Sequence, residues 1–509
     1  MKIAICYPPL ESSKGTPLLS QNRQFQWFSD KATSYSIYPV IPASAATLLK
    51  SKGYDVAWLD GIAEKWTYEE FKQRLSDFAP DLIMIETKTP VVKKHWEIID
   101  DIKKGHNGGC TMGDERAKNI SSIEHRASPP LIVLVGDHVT ALPEESFKHS
   151  NVDFVLTGGD YDFAMLNLAD HLSKGAKLEA GVYCREGKKI VNTGPFVLRH
   201  NLDELPMIDR ELTRWQHYAY KNSNFKHTPG TYIMSGRDCW HGKCTFCSWC
   251  TLFPGAMWRR RSVENVLDEI EMLVEKYGVK EIMDDAGTMP VGDWLEEFCH
   301  GMVARGLNKK VKIDCNMRFN AGLDKEDYAL MGKAGFRFIL YGLESAKQET
   351  LDRINKNLKV EQIEPVLRWA KEGGLDPHIT IMVGYPWESR NDMEATLSMA
   401  KDLFKNGIVD SMQATIVIPY PGTPLFKECQ KEGWLKTEDW NHYDMREPIM
   451  KAQVSDEELH RMVQSLYASF MTPRFLLRKV VEVKSFDDLK YLFFSGMKFL
   501  AKLKDFRST

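Results

Sequence analysis

The sequence predicts an α/β protein of two successive units, a Rossmann-like doubly wound parallel sheet followed by a β/α barrel or partial barrel. Three observations carry that expectation. Along the first two hundred residues, short runs rich in Val, Ile and Leu alternate with stretches of helical periodicity, as in strands buried on both faces. After an interval of short β runs, Pro and charge, the alternation resumes near residue 230 and continues through six or so β/α units. The 509 residues also exceed one ordinary domain, for which roughly 150 is usual.

The elements follow in order. Residues 2–7 (KIAICY) read as a strand, 43–52 as a helix ending at Gly53, and 55–59 as a second strand. Thr67-Tyr-Glu-Glu70 is a capping box that opens a helix with Phe71, Leu75 and Phe78 on one face. Strands at 82–86 (LIMIE), 131–135 (LIVLV) and 152–156 continue the sheet, with a helix at 92–103. Residues 105–128, rich in Gly and charge, read as a surface insertion, with Cys110 and His106 inside it. In the second unit Ser262 caps a helix running to Gly278, and strands fall near 231–234, 281–283, 311–314, 337–340, 379–383 and 413–418. Helices at 294–304 and 325–333 lie between them. From Gly433 the strand rhythm stops; Ser455-Asp-Glu-Glu458 opens another helix, and 474–509 is basic and aromatic. That tail suits a helical cap or a membrane-surface contact. The expected division is 1–185, a linker at 186–228, a barrel at 229–432 and a helical region at 433–509.

Composition excludes several classes. With 43% hydrophobic and 27% charged residues the chain is globular rather than disordered. Its 67 Lys and Arg against 70 Asp and Glu leave no global field to recruit nucleic acid. The N-terminus shows no signal-peptide pattern, and no uncharged apolar run approaches the roughly 18 residues of a membrane span. A cytoplasmic setting is expected, where disulfides are disfavoured.

Four of the ten cysteines, Cys239, Cys244, Cys247 and Cys250, fall in one loop. Thiolates select zinc, copper(I) or iron–sulfur clusters. Structural zinc takes two separated ligand pairs, and no second pair stands elsewhere, so zinc is the lesser reading. Buried free thiols fit poorly in a loop of Gly, Lys and Ser. Three cysteines on one loop can hold three irons of a cubane cluster and leave the fourth open to a small molecule.

This loop resembles the cluster loop of the radical S-adenosylmethionine superfamily, CxxxCxxC with an aromatic before the last Cys. Here Phe246 precedes Cys247, and the first interval, Cys239 to Cys244, has one extra residue. The likeness continues in chain order. Met283-Asp284-Asp285-Ala-Gly-Thr288, Asn316-Met-Arg318, the run ending Gly-Leu-Glu344-Ser345, Gly384-Tyr-Pro386 and Pro419-Tyr-Pro-Gly-Thr-Pro resemble the motifs at successive strand ends. Upstream, Gly136-Asp137-His138-Val-Thr140 and Leu156-Thr-Gly158-Gly159-Asp160 look like the loops of that superfamily's cobalamin-binding domain, where the usual forms are Gly-Gly-x-His and Gly-Glu-x-Glu. A sheet that binds a nucleotide, or nothing, stays open beside that reading.

The resemblance is to the cobalamin-binding radical S-adenosylmethionine group that includes the anaerobic magnesium-protoporphyrin monomethyl ester cyclase and many C-methyltransferases. It implies three cofactors. Cys239, Cys244 and Cys247 would hold a [4Fe-4S] cluster. Phe246, Asp284, Asp285, Arg318, Glu344, Ser345, Gly384 and Pro386 would meet S-adenosylmethionine. Gly136, Asp137, His138, Thr140, Gly158 and Gly159 would meet cobalamin. No Asp-x-His-x-x-Gly motif occurs, so His138 is expected as a loop or tail contact rather than a cobalt ligand. Cys250 is the spare thiol: reactive, a hydrogen donor, or packed. The resemblance further implies an electron donor such as flavodoxin or ferredoxin and an anaerobic setting. The outcome is either methylation of an unactivated carbon or a radical cyclisation or rearrangement; a non-catalytic iron–sulfur sensor with Cys250 as fourth ligand is the third reading. Trp240, Trp249, Phe253 and Trp258 around the loop suit a lipophilic substrate, shielding of a radical, or packing.

Overall fold

The computed structural model describes residues 1–19, 25–28, 34–104, 129–220, 225–255 and 257–472, with four isolated positions beyond. The expected insertion at 105–128, with Cys110 and His106, and nearly all of the basic tail lie outside the described residues.

The strands in chain order are β1 (Lys2–Tyr7), β2 (Thr16–Leu18), β3 (Gln26–Phe28), β4 (Asp55–Asp60), β5 (Leu82–Glu86), β6 (Leu131–Val135), β7 (Phe154–Leu156), β8 (Val182–Glu186), β9 (Lys189–Asn192), β10 (Gly230–Ile233), β11 (Glu281–Asp284), β12 (Lys312–Met317), β13 (Phe336–Glu344), β14 (Asp376–Val383) and β15 (Ser411–Ile416). The first sheet has the order β4-β1-β5-β6-β7-β8-β9. It is parallel from β4 to β7 and ends in an antiparallel β8–β9 hairpin. The strands β5 and β6 are apolar almost throughout because helices cover both faces. One face carries helices Val40–Ser51 and Tyr161–Lys174; the other carries Tyr68–Phe78 and Val92–Lys103. The expected boundary at 185 cuts β8, so the first unit extends through β9 to Asn192.

The second sheet runs β10-β11-β12-β13-β14-β15 in sequence order, every pair parallel. Sequential parallel pairing with helical crossovers curls the sheet, but β10 and β15 do not pair, so the barrel is partial. Helix Asp456–Tyr467 lies along β15, where the Tyr467 hydroxyl donates to the Ala414 carbonyl at 3.2 Å. Of the caps read from sequence, Thr67 and Glu70 exchange both hydrogen bonds, Ser262 accepts from Asn265 N at the head of Val263–Tyr277, and Ser455 accepts from Glu458 N at the head of Asp456–Tyr467.

The two units share one apolar core, which runs from one face of the first sheet into the barrel. Beyond Gly433 the chain returns to the first sheet, placing Trp440, Tyr443 and Ile449 in the apolar cluster on its other face. Among the described residues no helix is long and apolar enough to cross a membrane.

Candidate active site

Parallel strands deliver polar loops at their C-terminal ends. Here those ends of both sheets turn toward each other. A cavity of about 230 Å³ lies between them, walled by Lys88, Thr89 and Asp137 from beyond β5 and β6, and by Phe246, Cys247, Glu344 and Met382 from the barrel. A second, of about 430 Å³, occupies the barrel interior. Phe246, Cys247, Trp249, Glu344 and Thr380 border both, so the two are neighbouring parts of one chamber.

All four clustered cysteines line the larger cavity, and none is in a disulfide. The extra residue between Cys239 and Cys244 is absorbed at Gly242, whose φ of 57° is left-handed and whose missing side chain leaves room for the Gly255 carbonyl oxygen, 2.6 Å from where a Cβ would sit. The loop is pinned beneath. His241 Nε2 lies 2.6 Å from the Asn355 carbonyl oxygen, Asn355 Nδ2 donates to Lys243 O at 3.1 Å, and Thr245 N donates to Ile354 O at 3.0 Å. The Cys250 thiol donates toward Cys247 and holds the Cys247 thiol below its usual range, while burial pushes Cys244 up. Among the described residues no three side chains of His, Cys, Asp or Glu converge on a point where a single ion would sit. Four thiols on one cavity wall are soft donors of the kind that iron–sulfur clusters take, and the donor set fits such a cluster.

Arg318 and Glu344 line this cavity. Arg318 Nη1 stands 3.5 Å from Cys244 Sγ, its Nη2 donates to the Lys356 carbonyl, and its guanidinium lies over the Trp240 ring at 5.3 Å. Glu344 has a left-handed φ of 65° at the bulged end of β13, and its Oε1 accepts from Lys356 Nζ at 2.6 Å in a buried ion pair. Asn316 lies on the same wall. An ammonium and a carboxylate side by side can receive a zwitterionic amino-acid head, so these residues fit S-adenosylmethionine.

Other expected contacts do not reach either cavity. Asp284 accepts from the backbone N–H and hydroxyl of Ser235 and from Ala286 N, bracing β10 against β11; burial pushes its pKa up to about 6. Asp285 is buried with its backbone N–H on Ile233 O at 2.8 Å. The Ser345 hydroxyl donates to Glu388 at 2.8 Å, inside the packing of helix Arg390–Lys405. Gly384 and Pro386 form the turn after β14, behind the wall. These residues shape the strand ends rather than the chamber surface.

The glycine loops of the first sheet show the same division. Only Asp137 walls the inter-sheet cavity, with Lys88 Nζ at 3.8 Å from its carboxylate. His138 is turned inward, Nδ1 3.2 Å from Thr89 Oγ1 and Nε2 3.0 Å from Glu145 Oε2, its ring edge on Trp440. Thr140 Oγ1 donates to Gly136 O and accepts from Gly158 N, stitching the two loops together. The space left by the missing side chains is filled by protein: the Thr87 carbonyl at Gly136, the Phe196 ring at Gly158 and the Phe253 ring at Gly159. The two glycine loops are thus closed by the protein's own atoms, and the open space beyond β5 and β6 is the slot walled by Lys88, Thr89 and Asp137.

Lys356 ends the run Gln348-Glu-Thr-Leu-Asp-Arg-Ile-Asn-Lys356 that follows the Glu344-Ser345 motif in the sequence, and it is buried between Asn355 and Asn357, both left-handed at φ 53° and 50°. Three further chamber residues carry no sequence signature. Asp314, His378 and Gln413 line the barrel interior from β12, β14 and β15. Burial, with the Glu281 carboxylate beside it, pushes Asp314 well above the usual carboxylate range despite Arg337 at 2.8 Å. His378 Nδ1 lies 2.7 Å from Ser411 Oγ.

Comparison with known proteins agrees with this geometry. Residues 233–400 match the Radical SAM superfamily. Over 506 residues, 96% of each chain, the protein is 28% identical to an uncharacterized methyltransferase of Pyrococcus horikoshii. It is 26% identical to the anaerobic magnesium-protoporphyrin IX monomethyl ester cyclase of Cereibacter sphaeroides, over 79% of this chain and 62% of that one. Its fold matches that of the radical S-adenosylmethionine methyltransferase TsrM from Kitasatospora setae, solved with cobalamin and a [4Fe-4S] cluster bound, with a TM-score of 0.64, 13% identity and full coverage of both chains.

Proposed function

We propose that this chain, which carries the radical S-adenosylmethionine pattern in residues 233–400, is a cobalamin-dependent radical enzyme that methylates an unactivated carbon of a small organic substrate. The observation that carries the reading is the shared chamber: the C-terminal ends of both sheets open onto it, and four thiols stand on its wall. A cluster held there would supply the reductive cleavage of S-adenosylmethionine, and cobalamin would supply methyl-transfer chemistry.

The chain's own residues do the rest. Cys239, Cys244 and Cys247 supply the thiolates. Arg318, within hydrogen-bond range of Cys244, places a fixed positive charge beside that sulfur. Glu344 and Lys356 orient the amino-acid head of the cosubstrate by exchanging part of their mutual ion pair for its charges. Phe246 and Trp249, on the wall common to both cavities, exclude water from the path between them.

Anaerobic purification with cobalamin supplied, followed by reduction with S-adenosylmethionine and mass spectrometry, tests the reading. Methyl transfer gives 5′-deoxyadenosine together with S-adenosylhomocysteine. 5′-Deoxyadenosine alone supports a cyclase-type reaction instead, and neither product over an intact cluster supports a sensor.

A further inference from the structure

Asp160, at the end of the loop after β7, and Asp162, in the first turn of helix Tyr161–Lys174, touch neither cavity. Both are buried, and both reach across to the barrel. Arg237, two residues before Cys239, donates through Nη1 to Asp160 at 3.1 Å and to Asp162 at 2.9 Å, and through Nη2 to Asp162 again. Arg259, on the far side of the cysteine loop, donates to Asp160 at 2.5 Å and 3.2 Å. It also donates to Asp238, directly beside Cys239, at 2.6 Å from its backbone N–H and at 3.0 Å from Nε and Nη2. Between these bonds Gly159 N donates to Leu252 O at 3.0 Å, just beyond Cys250. The outer side of Asp160 is held by His200, 3.0 Å away, whose other nitrogen faces Glu179 at 3.1 Å.

We propose that Asp160 and Asp162 are positioning residues. Through Arg237 and Arg259 they clamp both ends of the cysteine loop onto the C-terminal end of β7, and so set the separation between the thiol wall of the barrel and the first sheet. The geometry favours this over simple packing. Charged partners buried on both sides of one loop fix its place by direction as well as distance, whereas apolar contacts let it slide. A radical formed at one cavity and a donor held at the other need a fixed gap, since small misplacements cost rate steeply. The assignment rests on the reading under Proposed function.

Two measurements on the full chain test it. The first needs no cofactor. Hydrogen–deuterium exchange of the apo protein should show Asp160→Asn and Asp162→Asn speeding exchange of residues 236–250 at least tenfold, with β5 and β12 unchanged. The second uses the wild-type and variant proteins reconstituted with iron, sulfide and aqua-cobalamin. After reduction, pulsed electron paramagnetic resonance should give one narrow distance between cluster and cob(II)alamin in the wild type and a broad distribution in Asp160→Asn, with iron content equal. Unchanged exchange and an unchanged narrow distance overturn the proposal. A wild type that takes up no cluster or no corrinoid overturns the functional reading instead, and leaves the exchange result to decide the clamp. Should Asp160→Asn fail to fold, the paired Asp160→Asn/Arg259→Gln chain, which removes opposite charges together, replaces it. If that chain also fails by gel filtration and circular dichroism, the network is a folding element and the proposal falls.

Discussion

The two parallel sheets end in loops of similar composition and put them to opposite uses. At the C-terminal end of the first sheet the glycines are occupied: Phe196, Phe253 and the Thr87 carbonyl fill the space, and the polar groups of His138 and Thr140 are satisfied inside the protein. At the same end of the barrel the interior is hollow, and Arg318, Glu344 and Lys356 present charge to the cavity. A glycine at a strand end creates room without specifying the tenant. In the first sheet the tenants are Thr87 from beyond β5, Phe196 from the segment that follows β9, and Phe253 from the barrel; in the barrel the strand ends border open space instead.

The sharpest division of the two regions is chemical. Cys244→Ser should reduce bound iron to background and abolish 5′-deoxyadenosine formation, whereas Cys184→Ser, buried in β8, should leave iron content unchanged by colorimetric assay. Retained iron in Cys244→Ser would remove the barrel's claim to be the reactive half. Next in size is Glu344→Gln, which strands the Lys356 ammonium in a buried position. Losing one partner of such a pair should cost about 3 kcal/mol in chemical denaturation, and the KM for S-adenosylmethionine should rise roughly tenfold.

The occupied glycines allow a reciprocal test. Gly159→Ala pushes a methyl into the Phe253 ring and should cost about 1–3 kcal/mol, read as a lower Tm. Adding Phe253→Leu should restore much of it, with corrinoid affinity unchanged in both. If affinity falls and the second change does not rescue, Gly159 touches the corrin and the contrast drawn above is wrong. The smallest effect is Ser345→Ala. Losing its hydrogen bond to Glu388 should cost about 1 kcal/mol and leave the KM for S-adenosylmethionine where it was.

Most of the architecture is legible in the sequence because it depends on local periodicity. The helix at 92–103 and the strands at 82–86 and 131–135 fall where their apolar runs do, and the caps at Thr67 and Ser262 follow from one side chain each. The cysteine loop is legible because its ligands are adjacent in the chain. Glu344 and Arg318 are found in the chamber, while Asp284, Asp285, Ser345, Gly384 and Pro386 brace the strand ends. A motif marks where a loop turns, and which of its atoms face the cavity depends on how far neighbouring strands curl. Asp314, His378 and Gln413 sit singly on strands of ordinary alternation. Nothing in a two-residue period tells a packed interior face from a hollow one. The β8–β9 hairpin escaped for a simpler reason, its antiparallel return being too short to stand out from a linker.

The gap between β10 and β15 has a consequence for how the chamber can change. Leu18, Tyr35 and Ile37, from the N-terminal stretch that precedes helix Val40–Ser51, line the same cavity as the barrel strands. One wall of the chamber is thus contributed by chain outside the second sheet's hydrogen-bonded frame. Because β2 and β3 pair only with each other, exchange of that wall would alter bore and lining while leaving every strand pair of the two larger sheets in place.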